Sequence, residues 1–243
     1  MKKRFATLLI ISISVLLFSC HSKQGLTEKQ IDSIVESILD SNQVYDIAQS
    51  LRFSNETDHY NVVEYSQNDS SKLFVESYYD NESEYTRQIY LQNGKVVFVK
   101  EFGFNVVDNL AQDYEIKAYV FNETEQLVYK KTLDENEEGN FVKQDENIKI
   151  DIKKPKNAVL QKGDFEMKFG EFLVVPPQSY LILENKESKY NVALFIQEGD
   201  FLLDELFTNP EEYKGKTIFA NHEFLTMNGV ERMVYRGGIL IEN

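Results

Sequence analysis

The chain has 243 residues, 42% of them hydrophobic, with 40 Asp and Glu against 26 Lys and Arg and a formal net charge of −14. That balance argues against nucleic acid and anionic lipid headgroups as partners, because both are bound by clusters of Lys and Arg that neutralise phosphates. The single cysteine, Cys20, excludes an internal disulfide and leaves the body without a Cys nucleophile or a Cys-based metal site.

In chain order, Lys2-Lys3-Arg4 precede the apolar run Ala6 to Phe18, which ends at Leu17-Phe18-Ser19-Cys20. A basic end followed by a short apolar segment reads as a secretory signal, since the positive end stays cytoplasmic while the apolar part enters the membrane. The run is shorter than the roughly 17–25 residues a membrane-spanning helix needs. Leu17-Phe18-Ser19-Cys20 resembles the lipobox of bacterial lipoproteins, and with its bulky Phe18 it is similar to lipoproteins of Bacteroidota. The resemblance implies that residues 1–19 are removed, that the Cys20 thiol carries a diacylglyceride, and that residues 20–25 form a tether. Acyl chains contribute about 0.8 kcal/mol per buried CH₂, so several on one Cys hold a protein at a membrane without a second signal. His21 stands where the inner-membrane retention signal of enteric bacteria has Asp, so the expected location is the outer membrane.

Thr27-Glu28-Lys29-Gln30 has the form of a capping box, and Ile31, Ile34, Val35, Ile38 and Leu39 follow at the spacing of an amphipathic helix. This predicts a helix that packs on its own sheet. From Tyr60 the pattern changes to short runs rich in Val, Phe and Tyr, bounded by Asn, Asp and Ser. Asn93-Gly94 supplies the two positive-φ residues of a type I′ turn. That turn predicts Leu91 opposite Val96 and Ile89 opposite Phe98 on a core face, with Tyr90 opposite Val97 behind them. A second hairpin is expected to join Tyr114–Phe121 to Leu127–Lys131 through residues 122–125.

Residues 134–147 are the most polar stretch and read as an acidic linker or hairpin between a helix-plus-sheet domain over 26–133 and a β-rich domain over 148–243. Asp134, Asn136, Glu138, Gly139 and Asp145 match positions 1, 3, 5, 6 and 12 of an EF-hand calcium loop. Position 12 is normally Glu, the flanks read as strand on both sides, and an acidic hairpin tip of this form is common without metal, so calcium stays a weak candidate and no metal or other cofactor is assigned.

In the second half, Phe172–Val175 and Tyr180–Leu183 read as strands parted by the rigid Pro176-Pro177 corner. Asn191–Ile196 reads as another strand, and Phe201–Phe207 as a short helix capped by Asp200. Asn209-Pro210-Glu211-Glu212 opens a further helical turn with Pro at its first position. The segment from Asn209 to Ile218 is similar to the Asn-Pro-Glu-x-Tyr-x-Gly-Lys lead-in to small β-barrels of some bacterial envelope proteins. A hairpin at Asn228-Gly229 and a separate last strand, Ile239–Ile241, close the chain. The expected fold is therefore α+β: an N-terminal amphipathic helix on an antiparallel sheet, then a β-rich sandwich or small barrel.

No motif for catalysis stands out. There is no Gly-x-Ser-x-Gly elbow and no His-Glu-x-x-His, and the histidines His21, His59 and His222 are widely spaced. With no Trp, a sugar-stacking platform would rest on Tyr. The function expected is non-enzymatic: a lipid-anchored envelope protein that binds a protein or surface component through edge strands and Tyr-rich faces. Two alternatives stand beside it. One is an immunity or inhibitor lipoprotein that neutralises a cationic enzyme, suggested by net charge; the other is an enzyme of unrecognised type.

Overall fold

The computed structural model describes Lys29, Ser33, Glu36, Ser37, and residues 44–79, 83–107, 110–122, 124–133, 142–143 and 148–241. Its elements in chain order begin with β1 (Asp46–Gln49), β2 (Phe53–Ser54), β3 (His59–Gln67), β4 (Ser70–Tyr79), β5 (Ser83–Gln92), β6 (Lys95–Val107), β7 (Leu110–Phe121), β8 (Leu127–Leu133) and β9 (Val142–Lys143). Helix α1 (Lys153–Val159), a 3₁₀ turn (Gly163–Phe165), β10 (Lys168–Val175), β11 (Gln178–Asn185) and β12 (Tyr190–Phe195) follow. The chain then forms α2 (Phe201–Thr208), α3 (Pro210–Tyr213), β13 (Ile218–Met227) and β14 (Val230–Leu240).

β3 to β9 form one continuous antiparallel meander, each strand paired with the next. β1 and β2 share the outer edge of β3, the first against Val63–Ser66 and the second against His59 and Tyr60. The second half closes on itself. β10 pairs β11, β11 pairs β12, β12 runs parallel to β14 at Phe195 and Val234, and β14 pairs β13. The ring is completed by the Lys168–Thr217 bridge and by Phe169 N–H to Lys216 O at 2.9 Å and Ile218 N–H to Met167 O at 2.9 Å. With α2 between the third and fourth of its five strands, this is the connectivity of an OB-type barrel. β10 bends between its two partners at a bulge beside Gly170, where a Cβ would come within 3.2 Å of the Ile182 carbonyl oxygen. Asn191 opposite Ser54 joins barrel and meander into one 14-stranded sheet.

The main core draws on both halves, from Leu51, Phe53 and Val62 through Phe165 and Met167 to Leu206 and Tyr235. Phe165 sits at the joint, its ring 4.8 Å from Phe53, 5.4 Å from Tyr60 and 5.5 Å from Tyr190. A second cluster, Leu73, Tyr90, Val97, Phe98, Ala118 and Val120, lies on the other face of the meander.

The α+β expectation is overturned. The described residues are mostly strand, the helices after residue 44 span 7, 8 and 4 residues, and none of the described residues forms an N-terminal helix packed on the sheet. Ile31, Ile34, Val35, Ile38 and Leu39 lie outside the described residues, while Lys29, Ser33, Glu36 and Ser37 are helical and exposed. The stripe at helical spacing is a local pattern, and it could not show that the meander's inner face is covered by the barrel and α1 instead. Smaller corrections have similar causes. Leu91 does face Val96, but a bulge then shifts the register so that Ile89 faces Val99 and Tyr90 faces Phe98, which sends Phe98 to the second cluster. Pro176-Pro177 is the two-residue turn of an antiparallel hairpin rather than a corner between separate strands, and its peptide bond is cis. Ile239 belongs to β14, which runs on through Gly237 at φ +115.

Candidate binding face

Cys20 and the calcium candidates Asp134, Asn136, Glu138, Gly139 and Asp145 lie outside the described residues. Among the described residues no group of three or more His, Cys, Asp or Glu gathers as metal ligands would. His59 is exposed, its Nδ1 2.7 Å from Ser54 Oγ. His222 is half-buried, its Nε2 3.1 Å from the Ser50 carbonyl oxygen and its ring edge-on to Phe224. Burial lowers the His222 pKa against the opposing pull of that carbonyl.

Among the described residues, one connected set of titratable groups is internal. Glu76, 1% exposed on β4, accepts from Tyr60 Oη at 2.7 Å and from Tyr78 Oη at 3.4 Å. Arg87 on β5, its register partner, reaches Glu76 at 3.5 Å and Glu101 on β6 at 2.9 Å. Tyr119 donates to the same Glu101 at 3.1 Å. From α1, the Lys154 ammonium lies 4.6 Å over the Tyr60 ring and 4.8 Å over Tyr78, and donates to Tyr78 Oη at 2.9 Å. Burial pushes the Glu76 carboxyl up and the Lys154 ammonium down from their ordinary pKa values. This network fastens α1 to the meander's inner face.

The outer face of the barrel is different. Residues paired across adjacent strands share a face, so Leu173, Tyr180 and Phe195 form one row over β10, β11 and β12, flanked by Glu171, Ile182 and Ala193 on one side and by Val175 and Gln178 on the other. Leu181, Leu183, Val192 and Leu194 alternate with them and fill the barrel. Leu173 is 47% exposed and Val175 53% exposed, and from Leu173 to Pro177 five consecutive apolar residues stand in solvent at the hairpin tip. Beyond Lys168 and Phe169, β10 has no strand on its outer side among the described residues. The Tyr180 and Phe195 rings are 5.6 Å apart. Arg232 on β14 lies 5.4 Å over the Phe195 ring, and its Nη1 donates to Gln178 Oε1 at 3.0 Å and to Tyr180 Oη. Tyr180 Oη in turn donates to Gln178 at 2.7 Å.

At the far end of β11 and β12 is an open polar cleft of about 450 Å³, lined among others by Asn55, Glu56, Glu184, Lys186, Ser188 and Asn191. The apolar platform at one end and this polar cleft at the other make a surface able to hold an extended ligand by contact and hydrogen bonding. Sequence reasoning did not find it. Tyr180 and Ile182 are as apolar as Leu181 and Leu183, so β11 reads as core on both sides, and Arg232 comes from a strand 52 residues away from Tyr180. Comparison of the chain with protein-family models, with curated proteins and with solved structures finds no match.

Proposed function

We propose that this chain is a lipid-anchored envelope protein, held at the outer membrane by acyl chains on Cys20, that binds another protein through the outer face of β10, β11 and β12 and does no covalent chemistry of its own. The observation that carries the reading is the run Leu173-Val174-Val175-Pro176-Pro177, exposed beside Tyr180 and Phe195. Solvated proteins rarely leave such a run uncovered without a use for it. By analogy of fold, the outer face of the second and third strands of OB-type barrels, with the loops joining strands one to two and four to five, is where their ligands sit. The usual oligonucleotide ligand is disfavoured by a net charge of −14.

The test is a photo-crosslinking amino acid at position 175 of the full chain in its native envelope. The reading expects one discrete protein adduct, lost when Leu173→Asp is added. Adducts to lipid alone, or a protein adduct indifferent to Leu173→Asp, overturn it.

A further inference from the structure

Among the described residues, Arg52, Arg87 and Arg236 each lie within 4.0 Å of a carboxylate, to Glu231, to Glu76 and Glu101, and to Glu223 respectively. Arg232 does not, in a chain where acids outnumber bases 40 to 26. Its Nη1 is committed to two neutral acceptors, Gln178 and Tyr180, and its Cζ lies 5.4 Å from the centre of the Phe195 ring. Those contacts orient the guanidinium without neutralising it. A guanidinium offers a planar fork matched to a carboxylate, and its charge-assisted hydrogen bonds strengthen where apolar neighbours lower the local dielectric.

Resting on the binding reading above, we propose that Arg232 is the anion-recognising residue of this face and that the partner is an extended apolar protein segment carrying one carboxylate, from a side chain or a chain terminus. The choice of anion follows from the surroundings. Nucleic acid and anionic bilayers are held by many cations together, whereas here Lys168 and Lys186 lie at the far end of the face beside Glu184, the first as its register partner and the second 3.4 Å from its carboxylate, and it is Arg232 that touches Tyr180 and Phe195 on the apolar platform. A lone carboxylate within an apolar segment meets one guanidinium and leaves the rest of the contact to Leu173, Val175 and the two rings. The spacing is set as well. Arg232 reaches Tyr180, and Tyr180 is the direct partner of Leu173 on the next strand, roughly 4.8 Å away. At about 3.3–3.6 Å per extended residue, the carboxylate and the apolar side chain seated on Leu173 and Val175 lie within about three residues of each other.

The experiment selects peptides from a random 12-residue display library on the full chain in detergent micelles, then measures affinities by fluorescence anisotropy. Selected peptides should carry Asp, Glu or a free terminus within about three residues of an apolar side chain. Amidation of that carboxylate, or Arg232→Gln in the protein, should each weaken binding at least tenfold. The two changes together should weaken it no more than either alone, a coupling that a merely structural role for Arg232 would not produce. Peptides whose binding is lost on Val175→Asp yet is indifferent to amidation overturn the anion assignment and leave the binding face standing. Peptides indifferent to Val175→Asp, or none at all, overturn the face itself. Arg232-dependent binding to phosphatidylglycerol vesicles in place of peptides also overturns the proposal.

Discussion

Glu76 shows how one buried carboxyl serves as a fastening rather than as a catalyst. Its neighbours include Arg87 and Lys154, which favour its charge, yet removal from water outweighs them and its pKa lies above the usual carboxylate range. A group with a raised folded pKa contributes stability that is fully present below its unfolded pKa, about 4.5, and is lost as pH rises through the folded value. Glu76→Gln keeps an acceptor for Tyr60 and has no such loss. Urea unfolding should therefore show the variant gaining on the parent between pH 4.5 and 7, and a gap independent of pH would refute this. His222 works in the opposite sense. Its folded pKa is below the ordinary 6.5, so its contribution is present above pH 6.5 and lost as pH falls through the folded value. His222→Gln should flatten the decline in melting temperature between pH 7 and pH 5; a variant with the parent's slope would assign that decline to other groups.

Among the elements, those defined by residues close in sequence were legible and those depending on distant partners were not. Asp200 was read as the cap of α2, and its Oδ1 accepts from Leu203 N–H at 2.9 Å. Its other oxygen accepts from Tyr235 on β14 at 2.8 Å, a second role with no signal in the sequence. Asp200→Ala should cost about 2 kcal/mol, roughly one for the cap and one for the orphaned phenol. A loss of about 1 kcal/mol in a denaturant titration would mean the Tyr235 bond carries nothing. The turn at Asn93-Gly94 forms with φ of +53 and +74, as the residue types require. The register beyond it departs from the expected one because both faces of the meander are buried: the bulge after Leu91 lets Val97 and Phe98 both enter the second cluster.

For the molecule as a whole, the acidity and the proposed anchor bear on the same property. The chain carries 40 acids, and acidity of this kind keeps a tethered body soluble and repelled from anionic lipid headgroups. If Cys20 carries the acyl chains, Cys20→Ser should leave the protein unacylated by mass spectrometry and release it to the soluble fraction. A Cys20→Ser protein that still sediments with membranes would sink the anchor reading. Raised salt should weaken partner binding only modestly, since one charge pair is set in an apolar contact; a steep decline would favour the cationic-enzyme alternative.

What the sequence determined by itself is what short-range chemistry controls. The turns at Asn93-Gly94 and Asn228-Gly229 follow from residues that tolerate positive φ, the α2 cap from an Asp ahead of an apolar run, and the strand-rich character from alternating Val, Phe and Tyr. Tertiary structure alone decided that the second half closes into a barrel, that it shares one core with the meander through Phe165, and that Tyr180, Phe195 and Arg232 meet outside it. Each of these depends on which of two apolar strand faces turns inward and on pairings across tens of residues. A period-two pattern leaves both undetermined when both faces are apolar.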